Sequence, residues 1–421
     1  MKVFKFGGAS VKDANAVKNV ASILATCNEK IIVVISAMGK TTNALEKVVD
    51  AHFHKTGTAF ECLNEVKKYH YTIAEELFLN STHPIFQELH NTFVEVEWIL
   101  EDDPSSHYDF LYDQIVCIGE LLSTKIVSAY LNEVRQTNNW QDVRDFLQTD
   151  NTYRFARINW GVTETRGKQI LLEKLNQPGK QIIITQGFIG STSENFVTTL
   201  GREGSDFSAA IIAYITNAES VTIWKDVPGV MNADPKKFND VVLLSNISYR
   251  EAIELTFFGA SVIHPRTLKP LQNKNIPLYV KSFIEPNAPG TVINENTSAD
   301  SLIPSFIFRE NQVLISVSAR DYSFIVEDNL SEIFGVLAKQ GIKINIMQNS
   351  AMNFSFAADF SDFKLKSLIK ELENKYEIKY NSVLELLTIR HYNQGTIEKL
   401  TQNKQIYLQQ KTRSTARFLM Q

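Results

Sequence analysis

Charged and glycine-containing stretches follow several short apolar runs in this sequence, at positions where a parallel sheet would present them along one edge. Residues 5–10 (KFGGAS) place a lysine and a glycine pair directly after the first such run. Two adjacent glycines let the backbone approach a phosphate closely, and a following helix N-terminus supplies N–H groups and positive potential. The lysine can neutralise charge on a transferring phosphoryl group. By itself the stretch fits a tight turn with a solvated lysine equally well.

Two further loops follow apolar runs in the same way. Residues 36–43 (SAMGKTTN) come after the second run, and residues 186–190 (QGFIG) come after the third. Ligands in parallel sheets bind beyond the carboxyl ends of the strands, so these loops are expected to line one crevice. Glu120 follows a glycine near the start of a helical stretch and can receive an ammonium group, although a solvated carboxylate at a helix start is the better explanation when the residue is taken alone.

The most informative stretch is residues 200–210 (LGREGSDFSAA), which combines glycines, an arginine, a serine and an aspartate ahead of a helix. The guanidinium of Arg202 suits bidentate capture of a carboxylate. Asp206 is expected to hold a lysine and a substrate amine in register. Helix capping explains Ser205 or Asp206 but not the whole set. Residues 224–236 (WKDVPGVMNADPK) form a long polar loop that suits a nucleotide, whereas His264, before a proline, is interpreted as structural.

The apolar runs at 31–35, 182–185 and 221–224 have the length and β-branched composition of buried parallel strands, and helical patterns separate them. This alternation predicts an α/β sandwich. Residues from about 43 to 135 lack strand signals and predict a helical insertion. A Pro- and Gly-rich boundary lies near 285–305, and a βαββαβ pattern of the ferredoxin-like type follows it.

Composition excludes several classes of protein. The chain has 421 residues with 44% hydrophobic and 21% charged residues, and its net charge of −4 gives no basic field for nucleic acid. The spacing of its three cysteines matches neither a disulfide framework nor a zinc site. No signal peptide is recognised before the first strand, and no apolar run approaches the roughly 20 residues that span a bilayer. We therefore expect a cytoplasmic protein with no membrane partner.

Several of these motifs in the same order resemble those of the aspartate kinases of the amino-acid kinase family, along essentially the whole chain. The matching stretches are residues 5–10, 36–43, 186–190, 200–210, 224–235 and 258–265. The resemblance implies a three-layer αβα sandwich of the carbamate kinase-like type over residues 1–295. It also implies ferredoxin-like βαββαβ ACT modules, the first at 305–382 and a second, apparently shortened one at 383–421.

The resemblance also implies roles for individual residues. Lys5 and Asp206 are the expected catalytic residues. The expected substrate-binding residues are Thr42, Glu120, Phe188 and Arg202. The expected nucleotide-binding residues are Gly7, Gly8, Ser205, Lys225, Asp226, Met231, Lys236 and Ser261. The implied reaction is phosphorylation of the L-aspartate side chain by ATP with Mg²⁺, without a metal site on the protein, at the start of the lysine, threonine and methionine branch. A homodimer with an amino-acid effector at the ACT region is expected.

The sequence departs from the family pattern at five positions in or near the motifs. Alanine replaces threonine at 9, glutamate replaces glycine at 203, methionine replaces tyrosine at 231, lysine replaces arginine at 236, and serine replaces lysine at 261. Residues 342–351 (IKINIMQNSA), where lysine-inhibited relatives offer acidic groups, contain no carboxylate. Lysine inhibition by that mode is therefore expected to be weak or absent. Two alternatives stay open: a kinase of the same family with another substrate, and a catalytically silent amino-acid sensor.

Overall fold

The computed structural model describes residues 1–177, 179, 181–260, 263–321 and 323–421. These residues cluster into two compact units. The larger comprises residues 1–230, 243–253 and 263–297, and the smaller comprises residues 231–242, 254–260 and 298–421.

The larger unit is built on a mixed sheet that is parallel except at one pair. Its strands are β1 (Lys2–Phe6), β2 (Ile31–Ile35), β3 (Asn138–Gln141), β4 (Ile182–Gln186), β5 (Ile189–Ser191), β6 (Val197–Thr199), β7 (Ser220–Lys225), β8 (Asn246–Ser248), β9 (Leu278–Ser282) and β10 (Thr291–Asn294). Among the described residues the main sheet has the order β3-β4-β2-β1-β7-β9-β10-β8, and only β9 and β10 pair antiparallel. Strands β5 and β6 form a separate antiparallel hairpin.

Helices cover this sheet and make a three-layer αβα sandwich. The helices from Ala14 to Asn273 are α1 (Ala14–Ala25), α2 (Thr41–Phe53), α3 (Ala59–Leu77), α4 (Pro84–Glu101), α5 (Tyr108–Val116), α6 (Ile118–Glu133), α7 (Trp160–Leu175), α8 (Gly204–Thr216), α9 (Tyr249–Phe258), whose residues 254–258 belong to the smaller unit, and α10 (Pro265–Asn273). Helix α6 packs on β2, β3 and β4, whereas α8 packs on β1, β2 and β7. Every residue of β2 is buried, as the apolar run predicts for a central strand.

The stretch predicted to be helical, about 43–135, lies in α2 to α6. Its last part, Tyr108–Glu133, is long and apolar enough by length and composition alone to cross a membrane. However, 78% of its most apolar window is buried inside the fold. That burial is typical of a core helix, and it makes the length and composition weak evidence for a membrane span.

The smaller unit carries an antiparallel sheet with helices. Its elements are β11 (Ser305–Ala319), α11 (Glu327–Lys339), β12 (Ile344–Asn349), β13 (Asn353–Asp359), α12 (Asp362–Leu372), β14 (Tyr376–Arg390), α13 (Gln394–Thr401), β15 (Ile406–Lys411) and β16 (Thr415–Met420). The strand order over the described residues is β12-β13-β11-β14-β16-β15. The first four strands with α11 and α12 form the predicted βαββαβ unit, around a core that includes Ile315, Phe354 and Phe356.

The long strands β11 and β14 extend through both halves of this sheet. Residues 312–319 of β11 pair with β13 and with the first part of β14, whereas residues 305–309 pair with residues 386–390. A register shift separates the two parts between Arg309 and Gln312. The second half of the sheet therefore takes one strand from the first residues of β11, 305–309, a connection that the sequence pattern did not predict.

Candidate active site

A cavity of about 660 Å³ opens where β1, β4 and β7 end and where α8 begins. It brings together eleven of the predicted site residues. These are Lys5, Gly7, Gly8, Thr42, Glu120, Phe188, Arg202, Ser205, Asp206, Lys225 and Asp226. The loops after separate parallel strands thus form one crevice, as their positions in the sequence predict.

The glycine pair after β1 brings two loops into direct contact. A Cβ atom on Gly8 would lie 2.7 Å from the carbonyl oxygen of Gly39 and 2.8 Å from that of Ala37. The Gly39 N–H donates to the carbonyl oxygen of Gly8 at 3.0 Å. Only glycine fits this contact. The loop opens into a 3-10 turn at Gly8–Val11, and α1 begins later, with Asp13 accepting a hydrogen bond from the Ala16 N–H at 2.8 Å.

A buried ion pair lies at the floor of the cavity. Lys5 Nζ, near the end of β1, is 2.7 Å from Asp206 Oδ1 in the first turn of α8. The two side chains are only 11% and 5% exposed. Burial of both charges makes removal of either one costly, since its partner would be left unpaired away from water. The pair fixes a cationic ammonium group between the glycine loop and the helix N-terminus.

Glu120 carries a buried carboxylate with one unsatisfied oxygen. Its Oε1 accepts a hydrogen bond from the Ala37 N–H at 3.2 Å, and its Oε2 has no hydrogen-bond partner among the described residues. Burial raises the pKa of Glu120 to about 8, although the Ala37 N–H and the charge of Lys5 act in the opposite direction. A buried acceptor without a donor is unfavourable, so the site suits a ligand that brings a cationic donor.

The segment after β6 places an unpaired guanidinium beside the cavity. Arg202 is exposed, and the described residues offer it no hydrogen bond or ion pair. Its neighbours Gly201 and Glu203 have left-handed backbone conformations, with φ of 76° and 55°. Glycine suits such a conformation, and Glu203 adopts it with its Oε2 accepting the His264 N–H at 2.9 Å. His264 itself accepts the Arg266 N–H at 3.2 Å and caps α10, which supports its structural interpretation.

Phe188 and Thr42 line the same cavity as Arg202. Phe188 also has positive φ, at 68°, and its N–H donates to Ser208 Oγ at 2.9 Å. Its carbonyl oxygen accepts the Leu200 N–H at 2.8 Å, which joins the loop after β4 to the segment that carries Arg202. Thr42 lies in the first turn of α2. Together they add an aromatic ring and a hydroxyl group to the lining of the cavity.

The predicted nucleotide residues fall into three groups. Ser205 lies in the first turn of α8, Lys225 ends β7 and Asp226 follows it, and all three residues line the cavity. Met231 and Lys236 belong to the smaller unit and do not line this cavity. Ser261 lies outside the described residues. The assignments of Met231, Lys236 and Ser261 therefore stay predictions.

Sequence reasoning missed several residues that line the cavity. They are Ala9, Ser10, Ser36, Tyr112, Arg154, Phe155, Thr199, Gly201, Glu203, Gly204, Trp224 and Phe283. Most of them lie within or beside the motifs already described. Tyr112, Arg154 and Phe155 do not, because they come from α5 and from an irregular segment before α7, and neither carries a strand-end or glycine signal.

Fold and cavity define a kinase-like α/β enzyme domain, and comparison with known proteins gives its family. The model of the "Amino acid kinase family" matches residues 1–282. Lysine-sensitive aspartokinase 3 of Escherichia coli is 32% identical over 85% of this chain and 78% of its own length. A bifunctional aspartokinase/homoserine dehydrogenase of Zea mays is 33% identical over 84% of this chain, which spans only 39% of that longer relative.

Solved structures agree with this assignment. The crystal structure of E. coli aspartokinase III with lysine and aspartate superimposes with a TM-score of 0.83 at 29% identity, over 100% of this chain and 95% of that one. The complex of the same enzyme with aspartate and ADP superimposes with a TM-score of 0.81 at 28% identity, over 100% of this chain and 96% of that one. The chain belongs to the amino acid kinase family, and within that family it is one of the aspartokinases.

Proposed function

We propose that the protein transfers the γ-phosphoryl group of ATP to the side-chain carboxylate of L-aspartate and forms 4-phospho-L-aspartate. The observation that carries the proposal is the unsatisfied Oε2 of buried Glu120, in the same cavity as the unpaired Arg202 and the Lys5–Asp206 pair. An α-amino acid offers the ammonium group and the carboxylate that these side chains lack. The complex of the E. coli relative with aspartate supports aspartate as that amino acid.

At the amino-acid end, binding and orientation are electrostatic. Glu120 accepts the α-ammonium group on its free oxygen, and Arg202 receives the α-carboxylate with two parallel N–H donors. Phe188 and Thr42 line this end of the cavity. This arrangement fixes the α-carbon and directs the side-chain carboxylate toward Lys5. A longer side chain would carry its carboxylate past that position.

At the phosphoryl end, charge stabilisation replaces proton transfer. The aspartate side chain, with an ordinary pKa of about 3.9, is ionised at neutral pH and needs no general base. The reaction instead requires that two anions be aligned and that their repulsion be screened. Lys5 supplies the cation, Gly7 and Gly8 allow close approach of the phosphates, and the N-terminus of α8 at Ser205 adds positive potential. Asp206 holds the Lys5 ammonium in place.

The nucleotide enters as its Mg²⁺ complex, and the metal is part of the substrate. When bound, Mg²⁺ neutralises phosphate charge. The carboxylates of Asp206 and Asp226 line the cavity and suit a hydrated Mg²⁺ held chiefly by the phosphates. Among the described residues no three His, Cys, Asp or Glu side chains form a metal-binding group. Lys225, Met231, Lys236 and Ser261 are proposed to contribute to nucleotide binding, and the ADP complex of the E. coli relative supports ATP as donor.

The smaller unit is proposed to be regulatory. Its βαββαβ pattern supports an ACT module at 305–382 and a second, shortened one at 383–421, the latter completed by the strand residues 305–309. The lysine complex of the E. coli relative supports an amino-acid effector there. We also propose a cytoplasmic homodimer that acts in the lysine, threonine and methionine branch of amino-acid biosynthesis. Titration of these three amino acids into the assay tests which of them controls the enzyme.

A hydroxylamine-trapping assay with MgATP tests the proposed reaction, because an acyl phosphate product forms a coloured hydroxamate. L-Aspartate is expected to give ATP-dependent hydroxamate, and L-glutamate much less. Preferred turnover of glutamate would identify a different kinase of the same family. Binding of amino acids without any acyl phosphate would identify a catalytically silent sensor.

A further inference from the structure

Arg154 is a second guanidinium at the substrate cavity, and none of the motifs assigns it. It lines the cavity together with Arg202, Phe188 and Glu120. Its guanidinium carbon lies 4.3 Å from the centre of the Tyr112 ring, another residue of the cavity wall. A cation placed over an aromatic face is held without being neutralised.

The acidic partners of Arg154 neutralise it only in part. Its Nη1 is 3.3 Å from Asp109 Oδ1, and its Nη2 is 3.6 Å from Glu46 Oε1. Those carboxylates are 61% and 41% exposed, whereas the arginine side chain is 32% exposed. Exposed pairs at such distances are weak and screened by water. The positive charge therefore remains effective at the cavity.

The backbone at Arg154 is fixed by a buried carboxylate. Asp113 is fully buried on α5, and its Oδ2 accepts the N–H groups of Arg154 at 3.0 Å and Thr199 at 2.8 Å. Its Oδ1 accepts the Thr199 hydroxyl at 2.7 Å. Burial raises the pKa of Asp113 to about 6, and the hydrogen bonds from Arg154 and Thr199 oppose that rise. These bonds attach the segment of Arg154 to β6, directly before the segment of Arg202.

The conformation of Arg154 carries a local cost. Its φ is 65°, in the left-handed region where glycine is relaxed and residues with a Cβ atom are strained. The adjacent Phe155 packs over Gly201, where a Cβ atom would come within 2.6 Å of its ring. A glycine at position 154 would fit this backbone better. An arginine in this conformation at a cavity wall raises the question of what its side chain does there.

The numbers of cationic and acidic side chains that line the cavity indicate a role for the charge of Arg154. Four cationic side chains line it, namely Lys5, Arg154, Arg202 and Lys225, against four acidic ones, namely Glu120, Glu203, Asp206 and Asp226. The proposed reaction brings two anions, MgATP and aspartate, into this space. Without Arg154 three cationic side chains would face four acidic ones once Glu120 ionises to receive the substrate ammonium group. The described contacts of the Arg154 guanidinium are with Tyr112, Asp109 and Glu46, whereas Lys5 is paired with Asp206, so the charge of Arg154 is available to the amino acid.

We propose that Arg154 is a specificity-determining residue that raises the affinity of the cavity for a dicarboxylate amino acid. This inference rests on the proposed function. The role is electrostatic, so it changes binding of the amino acid and leaves phosphoryl transfer to Lys5. Asp113 is the positioning residue that fixes the backbone of Arg154.

The test compares R154G, R154Q and R154K with R135G. Arg135 has a matching φ of 62° and is exposed outside the cavity, so R135G controls for relief of the same backbone strain. R154G and R154Q are expected to raise the KM for L-aspartate about tenfold, with kcat and the KM for MgATP changed less than about threefold. R154K is expected to recover most of the affinity for aspartate. Added salt is expected to reduce the difference in KM between R154Q and wild type.

An unchanged KM for aspartate in R154G would overturn the inference. Equal losses of aspartate affinity in R154K and R154Q, together with a lowered Tm in both, would also overturn it, because they would show that the side chain acts through packing. Calorimetric binding of L-aspartate without nucleotide separates this inference from the proposed reaction. If wild type binds aspartate more tightly than R154Q but forms no acyl phosphate, the reaction fails and Arg154 keeps its role. If wild type phosphorylates aspartate and R154Q binds it equally well, only the role of Arg154 fails.

Discussion

Lys5 Nζ and Asp206 Oδ1 lie 2.7 Å apart in the buried floor of the cavity, although 201 positions separate the two residues in the chain. Strand β1 ends where helix α8 begins, so the fold alone brings them together. The pair places one ammonium group beside the glycine loop, and the account of phosphoryl transfer depends on that placement.

Replacement of Lys5 by methionine is expected to lower kcat by about 10²–10³-fold with little change in the KM for aspartate, because the stabilising charge acts mainly in the transition state. K5M also leaves Asp206 buried without a partner. The double variant K5M/D206N is therefore expected to regain stability in urea denaturation without regaining activity. K12A, at an exposed lysine outside the cavity, is the control and should match wild type. A K5M enzyme with near-normal kcat would refute the catalytic role of Lys5.

Aspartate binding is expected to strengthen as pH rises through about 8. In the empty site the raised pKa of Glu120, about 8, keeps much of its carboxyl group protonated at pH 7. Only the ionised form pairs with the substrate ammonium group, so binding must release a proton at pH 7. Calorimetry at pH 7 in buffers of different ionisation enthalpy measures that proton. E120Q should bind aspartate far more weakly and release none, and a wild-type titration without proton release would contradict the assignment.

The same carboxyl group should make stability depend on pH. Between the ordinary pKa of 4.5 and the folded value of about 8, the folded protein holds a proton that the unfolded chain has lost. The contribution of Glu120 to the free energy of unfolding therefore falls as pH rises through this window, by up to about 1.4 kcal/mol per pH unit. Urea denaturation of wild type and E120Q at pH 5.5, 6.5 and 7.5 checks this. E120Q should become more stable relative to wild type at each increase in pH. A difference in unfolding free energy that stays constant with pH would argue against a raised pKa of Glu120.

Gly8 is predicted to tolerate no side chain. In G8A the new methyl group would overlap the carbonyl oxygens of Ala37 and Gly39, which are backbone atoms and cannot move aside easily. We expect a loss of stability of about 1–3 kcal/mol and a larger loss of activity, because the loop that cradles the phosphates moves. The control is G335A in α11, where nothing lies within 4 Å and a helical alanine should stabilise slightly. Full activity in G8A would show that the two loops are not held together.

Several features could be predicted from the sequence because they are local. The buried runs of β1, β2, β4 and β7 and the glycine loop carry their signals within a few residues. Short strands such as β8 and β10 carry too few residues for a pattern, and the antiparallel pairing of β9 with β10 depends on tertiary contacts. Arg154 was missed for a similar reason. Its place in the cavity depends on Asp113 and Tyr112, 41 residues or more away in the chain, and not on any motif around it.

Lysine is predicted to inhibit weakly or not at all through the first regulatory half of the smaller unit. Strand β12 and its flanks, residues 342–351, offer no carboxylate to an ammonium group. Asp359, on the neighbouring strand β13, already pairs with Arg309 and accepts from Gln312 and Asn345. Burial of a lysine ammonium group there without a counter-charge is unfavourable. Initial rates measured over a lysine titration check this, with the lysine-sensitive E. coli relative assayed in parallel. Equal inhibition of both enzymes by lysine would contradict the prediction.

The central claim is tested most directly by a crystal structure of the protein soaked with L-aspartate and a non-hydrolysable ATP analogue. The account predicts the α-carboxylate on Arg202, the α-ammonium group on Glu120 Oε2, and the terminal phosphate beside Lys5 and the glycine loop. Electron density that places either ligand outside this cavity, or the amino acid reversed with its side chain on Arg202, would contradict it.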